Sequence, residues 1–160
     1  MNIRPATKDD DEFLKTMLYE AARWNPDWPR EPMEEVLDEP TLRRYHQGWG
    51  RRGDGGMIAE IEGAPVGAVW YRLFSEDEPG YGFVDEKTPE VSVAVSPLHR
   101  RKGIGGTLLR AAMVQAREEG YRSLSLSVAV HNRSRMMYQR VGFEQVGEQG
   151  SENWTMLVNL

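Results

Sequence analysis

The densest chemistry in the sequence lies in HRRKGIGGTLLR, His99 to Arg110, where three glycines in four positions follow three consecutive cations and lead into an apolar pattern of helical spacing. A glycine-rich turn that runs into a helix leaves several backbone N–H groups without intrahelical partners and aims them outward at the positive end of the helix dipole. Arg100, Arg101 and Lys102 add charge beside them, and Gly103, Gly105 and Gly106 carry no side chain to hold a ligand off the backbone. This is the composition of an anion site; an ordinary tight turn with a solvated basic loop is the plainer alternative. Two familiar phosphate patterns do not fit. The P-loop needs Lys followed by Ser or Thr after its last glycine, where this chain has Thr107 and Leu108, and the dinucleotide fingerprint needs a glycine where Leu108 stands. A GIG turn that grips DNA between two helices needs a helix before Gly103, but EVSVAV is strand-like and Pro97 blocks a helix there.

Other chemistries are excluded by what the chain lacks. With no cysteine there is no disulfide, thiolate metal site or cysteine nucleophile, and His46, His99 and His131 are scattered without metal-ligand spacing, so no metal is expected. A formal charge of -5 over 160 residues argues against nucleic acid as the main partner. MNIRPATKDDDEF lacks the apolar run of a signal peptide, and no later stretch reaches membrane-spanning length. A soluble, cytoplasmic protein with no nucleic-acid or membrane partner is expected, and a homodimer is compatible with the chain.

The elements that must hold the glycine stretch follow from period and punctuation. EVSVAV, Glu90 to Val95, reads as a β-branched strand closed by Pro97; Ile104, Leu108, Leu109, Ala112, Met113 and Ala116 mark one face of a helix ending at Gly120. SLSLSVAV, Ser123 to Val130, reads as a further strong strand, so strand, helix and strand make a βαβ unit with a right-handed crossover and parallel strands. Upstream, Asn2 to Arg4 reads as a short strand and Thr7 as the cap of a helix whose buried face carries Phe13, Leu14, Met17, Leu18 and Ala21. A weaker helix is expected from Met33 to Tyr45, beyond the proline-punctuated NPDWPREP. MIAEIEG and PVGAVWYRLF alternate around a turn at Gly63 and Ala64 as a hairpin, followed by the acidic loop SEDEPGYGFVDEKTPE. A short helix from Asn132 to Val141 and a hairpin of GFEQVG with NWTMLVNL close the chain. The order is α/β with a mixed sheet, in a single domain spanning residues 1 to 160.

Arg100, Gly103 and Gly105 match the R/Q-x-x-G-x-G/A signature of the GCN5-related N-acetyltransferases, and EVSVAVSPLHRRKGIGGTLLRAAM resembles that family's strand, loop and helix throughout. NRSRMMYQRVGF, Asn132 to Phe143, is similar to the family's N-x-x-x-x-x-Y-x-x-x-G-F ending. The resemblance covers the C-terminal half; the N-terminal half matches only in its order of elements. It implies a mixed, mostly antiparallel sheet whose central parallel βαβ unit opens a V-shaped slot, with acetyl-CoA as co-substrate and no metal. The diphosphate would lie on the N–H groups of Arg101, Lys102, Gly103, Ile104, Gly105 and Gly106, flanked by Arg100 and Thr107. The pantetheine arm would run along Val93, Ala94 and Val95, with main-chain N–H groups near Ala94 polarising the thioester carbonyl.

The same resemblance assigns the reaction: an acetyl group moves to a primary amine of a small molecule or peptide by direct attack on the thioester. Tyr138 stands where the family often points a hydroxyl at the CoA sulfur, and a phenol of pKa about 10 stays protonated beside a thiol of about 8.5. Packing beside Met137 and Phe143 is the alternative role. Asn132 either caps its helix or reaches the pantetheine amide, and Ser134 serves either role. Glu90 begins its strand close to where the family often places a glutamate that takes the amine's proton. Trp24, Trp28, Tyr45 and Trp49 fall in the region that builds the acceptor side, or simply pack helices. Glu76, Asp77, Glu78, Asp85 and Glu86 would draw cationic amines to the slot if their loop rims it. A catalytically silent acyl-CoA-binding or regulatory module of the same fold is the competing reading.

Overall fold

Alternation along the strands decides which face of the sheet each helix covers. In SLSLSVA the leucines and Val128 point to one side and the serines to the other; in APVGAVWYR the residues are buried on both. The computed structural model describes all residues, 1 to 160. Its strands are β1 (Asn2–Pro5), β2 (Gly55–Ile61), β3 (Ala64–Arg72), β4 (Glu90–Val95), β5 (Ser123–Ala129), β6 (Glu144–Gln149) and β7 (Asn153–Asn159). Its helices are α1 (Asp11–Ala22), α2 (Met33–Leu37), α3 (Pro40–Arg43), α4 (Ile104–Glu118) and α5 (Ser134–Arg140). One seven-stranded sheet runs in the order β1-β2-β3-β4-β5-β7-β6, antiparallel everywhere except between β4 and β5. The expected α/β class and parallel βαβ unit are both present. No helix is long and apolar enough to cross a membrane.

Two cores lie on the two faces. On one, α4 buries Leu108, Leu109, Ala112 and Ala116 completely against Val69, Leu124 and Leu126. Each such leucine contributes about 1.5 to 3 kcal/mol relative to exposure. On the other, α1 and the two short helices pack Leu14, Met17, Leu18, Val36 and Leu37 against Ile58, Ala68 and Trp70.

Several boundaries differ from the sequence expectation, each for a local reason. The helix expected over Met33 to Tyr45 is two short helices, because Pro40 starts α3 and forces Glu39 to an extended backbone, ψ 133°. Thr7 caps a short 3-10 turn, Lys8–Asp10, that feeds α1: its hydroxyl accepts from the Asp9 N–H at 3.2 Å while Asp10 accepts from the Thr7 N–H at 2.7 Å. The hairpin turn is Glu62-Gly63, one residue earlier than expected, with φ of 52° and 79°. Both residues have positive φ, as the favoured two-residue hairpin turns require. The last helix begins at Ser134, two residues later than expected, because Asn132 and Arg133 form a turn before it in which Asn132 Oδ1 accepts from the Ser134 N–H.

Two features position the site. First, β4 and β5 share a single register pair, Glu90 with Ser125, supported by the Ser125 N–H donating to Pro89 O at 3.0 Å. Beyond that pair β4 stays with β3 and β5 stays with β7, so the two strands part and the expected V opens. Second, Arg72 at the end of β3 is buried to 1% exposure and grips Asp54 bidentately through Nε and Nη2, at 2.9 and 2.7 Å. Its Nη1 also donates to the carbonyls of Arg44 and Gln47, at 3.0 and 2.7 Å. One cation therefore ties the segment after α3 to the sheet. Removing one partner of a buried ion pair strands the other charge and costs about 3 to 5 kcal/mol. Asp54→Ala should accordingly lower the melting temperature by roughly 10 °C, at about 2 to 4 °C per kcal/mol for this size, in a thermal melt followed by circular dichroism; a change under about 2 °C would remove the clamp from the stability of the fold.

Candidate active site

At the open end of the V, the chain between β4 and α4 presents a row of free amides. The N–H groups of Arg101, Lys102, Gly103, Ile104, Gly105 and Gly106 have no acceptor within the protein; Thr107 is the first whose N–H bonds backward, to Gly103 O at 3.2 Å. Arg101 and Gly103 both sit at positive φ, 62° and 80°, which bends the loop into the start of the helix. Arg101, Lys102, Gly103 and Thr107 are exposed there, and Gly106 is half-buried. Free amides, a helix N-terminus and two unpaired cations together form an anion cradle.

Not every residue of the glycine stretch faces that cradle. Gly105 is buried, and a Cβ placed on it would fall 2.9 Å from the Met137 sulfur, so its missing side chain admits α5 rather than a ligand. Ile104 belongs to the core. Arg100 turns the other way: its Nε donates to Val95 O at 2.9 Å and its Nη2 to Glu20 at 3.1 Å, so it ties the end of β4 to α1.

The edge of β4 follows from the alternation of an antiparallel ladder. The Ser96 N–H donates to Val66 O at 2.8 Å, so Ser96 and, every second residue back, Ala94 and Ser92 bond to β3. Val91, Val93 and Val95 then turn their main-chain groups toward the gap. Val93 and Val95 thus carry the accessible amides; the Ala94 amide faces β3.

On the α4 side of the gap stands Tyr138, 9% exposed, against Phe143 with ring centroids 6.0 Å apart. Its ring belongs to the core, but its hydroxyl makes no hydrogen bond to the protein, and burial pushes its pKa up to about 12. Both roles considered for Tyr138 are therefore compatible: the ring packs and the O–H remains free to donate. Asn132 Oδ1 accepts from the Ser134 N–H at 2.9 Å, which uses its oxygen as a cap and leaves its amide N–H groups free.

The opposite face of the gap is polar. Glu90, Ser92, Ser125 and Ser127 occupy it by strand parity, and the Ser125 hydroxyl is fully buried with no partner. Glu90 is 5% exposed: Oε1 accepts from the Gly82 N–H at 2.8 Å, and Oε2 takes a short hydrogen bond from the Tyr45 hydroxyl. That hydroxyl in turn accepts from the Tyr81 N–H at 2.6 Å. Burial lifts the Glu90 carboxyl to about 7, against the pull of these two donors, and holds the Tyr45 phenol well above its ordinary value. Gly80, Tyr81 and Gly82 lie directly over the carboxylate. A Cβ on Gly80 would sit 2.3 Å from Glu90 Oε1, and one on Gly82 2.4 Å from the Leu126 carbonyl carbon, so only glycine fits either place.

The loop's other acids, Glu76, Asp77, Glu78, Asp85 and Glu86, are exposed. Of the aromatic residues singled out in the sequence, Tyr45 reaches the site, Trp49 donates to Thr7 O at 2.9 Å, and Trp24 stacks edge-on with Trp28 at 5.2 Å. The histidines stand apart, and no group of His, Asp and Glu gathers in a way that could hold a metal ion. A cleft of about 680 Å³ among Lys8, Lys15, Arg43 and Trp49 shares no residue with the glycine turn, the β4 edge, Tyr138 or Glu90. Sequence reasoning missed the Tyr45–Glu90 pair, the glycines at 80 and 82 and the buried Ser125; the SLSLS alternation, with serines sharing one face of a central strand, is the available signal for the last.

The sequence matches the Acetyltransferase (GNAT) family over residues 15–143. It is 29% identical over 153 residues to an uncharacterized N-acetyltransferase of Methanocaldococcus jannaschii, covering 89% of this chain but only 60% of that relative's length. It is 31% identical over 164 residues to an uncharacterized N-acetyltransferase of Archaeoglobus fulgidus, covering 95% of this chain and all of the relative. The fold overlays on the PaiA N-acetyltransferase of Thermoplasma acidophilum, a structure solved in complex with coenzyme A, over the whole of both chains with a TM-score of 0.72 at 19% identity. The glycine turn and the parted strands fall inside the matched region, and the chain belongs to the GNAT acetyltransferase family.

Proposed function

We propose that this protein is an acetyl-CoA-dependent N-acetyltransferase that acylates a primary amine by direct attack on the thioester. The observation that carries the reading is the continuous row of acceptor-free amides from Arg101 to Gly106, set beside the open edge of Val93 and Val95 and the free Tyr138 hydroxyl. The residues fit acetyl-CoA: the amides with Arg101 and Lys102 would hold the diphosphate, and the main-chain groups of Val93 and Val95 the pantetheine amides. The same edge would polarise the thioester carbonyl, with the correction that the donor is an odd-numbered valine rather than Ala94.

The chain's own groups then divide the proton work. As the amine nitrogen bonds to the carbonyl carbon and the C–S bond breaks, the leaving sulfur needs a hydrogen bond or proton, which Tyr138 supplies from its unshared O–H. The amine must shed a proton, and Glu90 is the acceptor, its pKa near neutrality matching the task. Tyr45 fixes the orientation of its carboxylate. The exposed acids of the preceding loop raise the local concentration of an ammonium-bearing acceptor.

Three outcomes test this reading. Acetyl-CoA at about 100 times its dissociation constant should stabilise the fold by roughly 2.7 kcal/mol, about 5 to 10 °C in melting temperature. The double charge reversal Arg101→Glu with Lys102→Glu should remove most of that shift; an undiminished shift would place the diphosphate elsewhere. These variants are cleaner than any change at Gly105, where a side chain would strike Met137.

Tyr138→Phe keeps the ring in the core and removes only the hydroxyl, so kcat should fall by ~10- to 10⁴-fold with acetyl-CoA affinity nearly unchanged. Wild-type turnover at saturating substrate would confine Tyr138 to packing.

For Glu90 the active form is the carboxylate, present above about pH 7 and lost below it. The profile of kcat/KM against pH should therefore show a rising limb near 7 in the wild type, which Glu90→Gln removes while lowering activity most at neutral pH; partial recovery is expected at alkaline pH, where more amine is already neutral. Parallel profiles offset by less than about twofold would take Glu90 out of the mechanism. Release of free CoA thiol from acetyl-CoA and an amine panel is the common assay, and a silent binding module would show none.

A further inference from the structure

The partly buried arginines of this protein are mostly matched to carboxylates: Arg4 to Asp10, Arg23 to Glu31 and Arg72 to Asp54. Arg44 is not. The residue is half-buried and its guanidinium is held only by carbonyls, Nε donating to Pro40 O at 3.3 Å and Nη1 to Pro79 O at 2.5 Å. Its Nη2 has no protein acceptor. A planar cation held rigid by one edge, with donors free on the other, is suited to binding an oxyanion.

Arg44 lines a small cavity of about 150 Å³ together with Thr41, Pro79, Gly80, Tyr81 and Gln149. Three separate segments build it: α3, the loop after β3 and the tip of β6. The first two are fastened together by the Tyr81 hydroxyl donating to Thr41 Oγ1 at 2.8 Å. Gly80 is one of the lining residues, and it is also packed on the Glu90 carboxylate and the Tyr45 hydroxyl. One residue of backbone thus separates a free guanidinium from the proposed base. The neighbouring residue Tyr45 holds that base, and the Arg72 clamp on Arg44 O fixes both.

A cation and a carboxylate side by side are complementary to a molecule whose amine and anion are also side by side. A plain polyamine would set a positive charge against Arg44, and the cavity lies below the ~300 Å³ at which ordinary small-molecule sites begin, so it takes the end of a small ligand. We propose that the acceptor carries an oxyanion beside its primary amine, as a free amino acid or close analogue does, and that Arg44 is the residue that selects it. The oxyanion then meets Arg44 Nη2, and the amine points past Gly80 toward the fork where Glu90 stands. This inference rests on the acetyltransferase reading and names the substrate class of that same site.

The test is a matched acceptor set: the common amino acids, their carboxamides, their decarboxylated amines and the corresponding aminophosphonates, assayed by CoA thiol release at saturating acetyl-CoA. In the wild type, kcat/KM for the best amino acid should exceed that of its carboxamide and its decarboxylated amine by about 10- to 100-fold, the range for losing a hydrogen-bonded charge. The aminophosphonate arm shows whether the oxyanion is a carboxylate or a phosphonate. In Arg44→Gln the ratio of amino acid to carboxamide should fall close to one, and Arg44→Lys should restore part of it. A wild-type enzyme that uses the carboxamide or the plain amine as well as the amino acid overturns the proposal and leaves the acetyltransferase reading standing. An Arg44→Gln variant that slows all acceptors alike and keeps the ratio overturns the role of Arg44. No thiol release with any acceptor overturns the acetyltransferase reading, and this one with it.

Discussion

The site depends on two parallel strands that pair once and then part. Glu90 and Ser125 are the last point at which β4 and β5 belong to the same ladder. A parted strand edge leaves unpaired N–H and C=O groups, which a folded chain tolerates only where solvent or a ligand can satisfy them. Each strand is secured on its far side, β4 by six register pairs with β3 and β5 by seven with β7, so the gap does not unravel the sheet. The Gly80–Gly82 backbone packs against Glu90 and Leu126 where the strands begin to part, and the edge of Val93 and Val95 leads on to the free amides at the start of α4.

The two faces of this fork have opposite character. On the α4 face the gap is bordered by core, and Tyr138 brings one hydroxyl into an otherwise apolar setting, where its proton is held tightly. On the other face stand a buried carboxyl with a raised pKa, a partnerless serine and a half-buried arginine. Groups of this kind are costly to bury. Their concentration on one face, with the free amides and the Tyr138 hydroxyl elsewhere on the fork, gives its two sides different chemistry.

That arrangement requires order in segments with little regular structure. The connection between α3 and β2 carries Arg44 and Tyr45 and has no strand to hold it, so Arg72 does, through two carbonyls and a bidentate grip on Asp54. The loop between β3 and β4 is held by Glu90 itself, through Gly82 and Tyr45. The proposed proton acceptor is therefore also a fastening for the loop above it, so protonation and loop position are coupled.

The sequence by itself determined the elements and their order in the C-terminal half, because β4, α4 and β5 are long, strongly periodic and punctuated by Pro97 and Gly120, and period is a local property. It also determined the row of free amides, since unpaired N–H groups at a helix start follow from local geometry alone. Short elements are less legible: Pro40 marks the break between α2 and α3, but apolar residues continue on both sides of it, at Val36 and Leu37 before and at Leu42 and Tyr45 after. Only the tertiary structure decided what each side chain of the cradle does. Gly105 and Gly103 look alike in sequence, but one faces Met137 and the other open space; Arg100 and Arg101 are adjacent cations, but one reaches Glu20 of α1 across 80 positions and the other reaches solvent. Likewise the pKa of Glu90, the union of Tyr45 with Gly82 around it and the pairing of Arg44 with a cavity arise from residues dozens of positions apart. Burial and long-range hydrogen bonds set those properties, and neither is written in any one stretch of the chain.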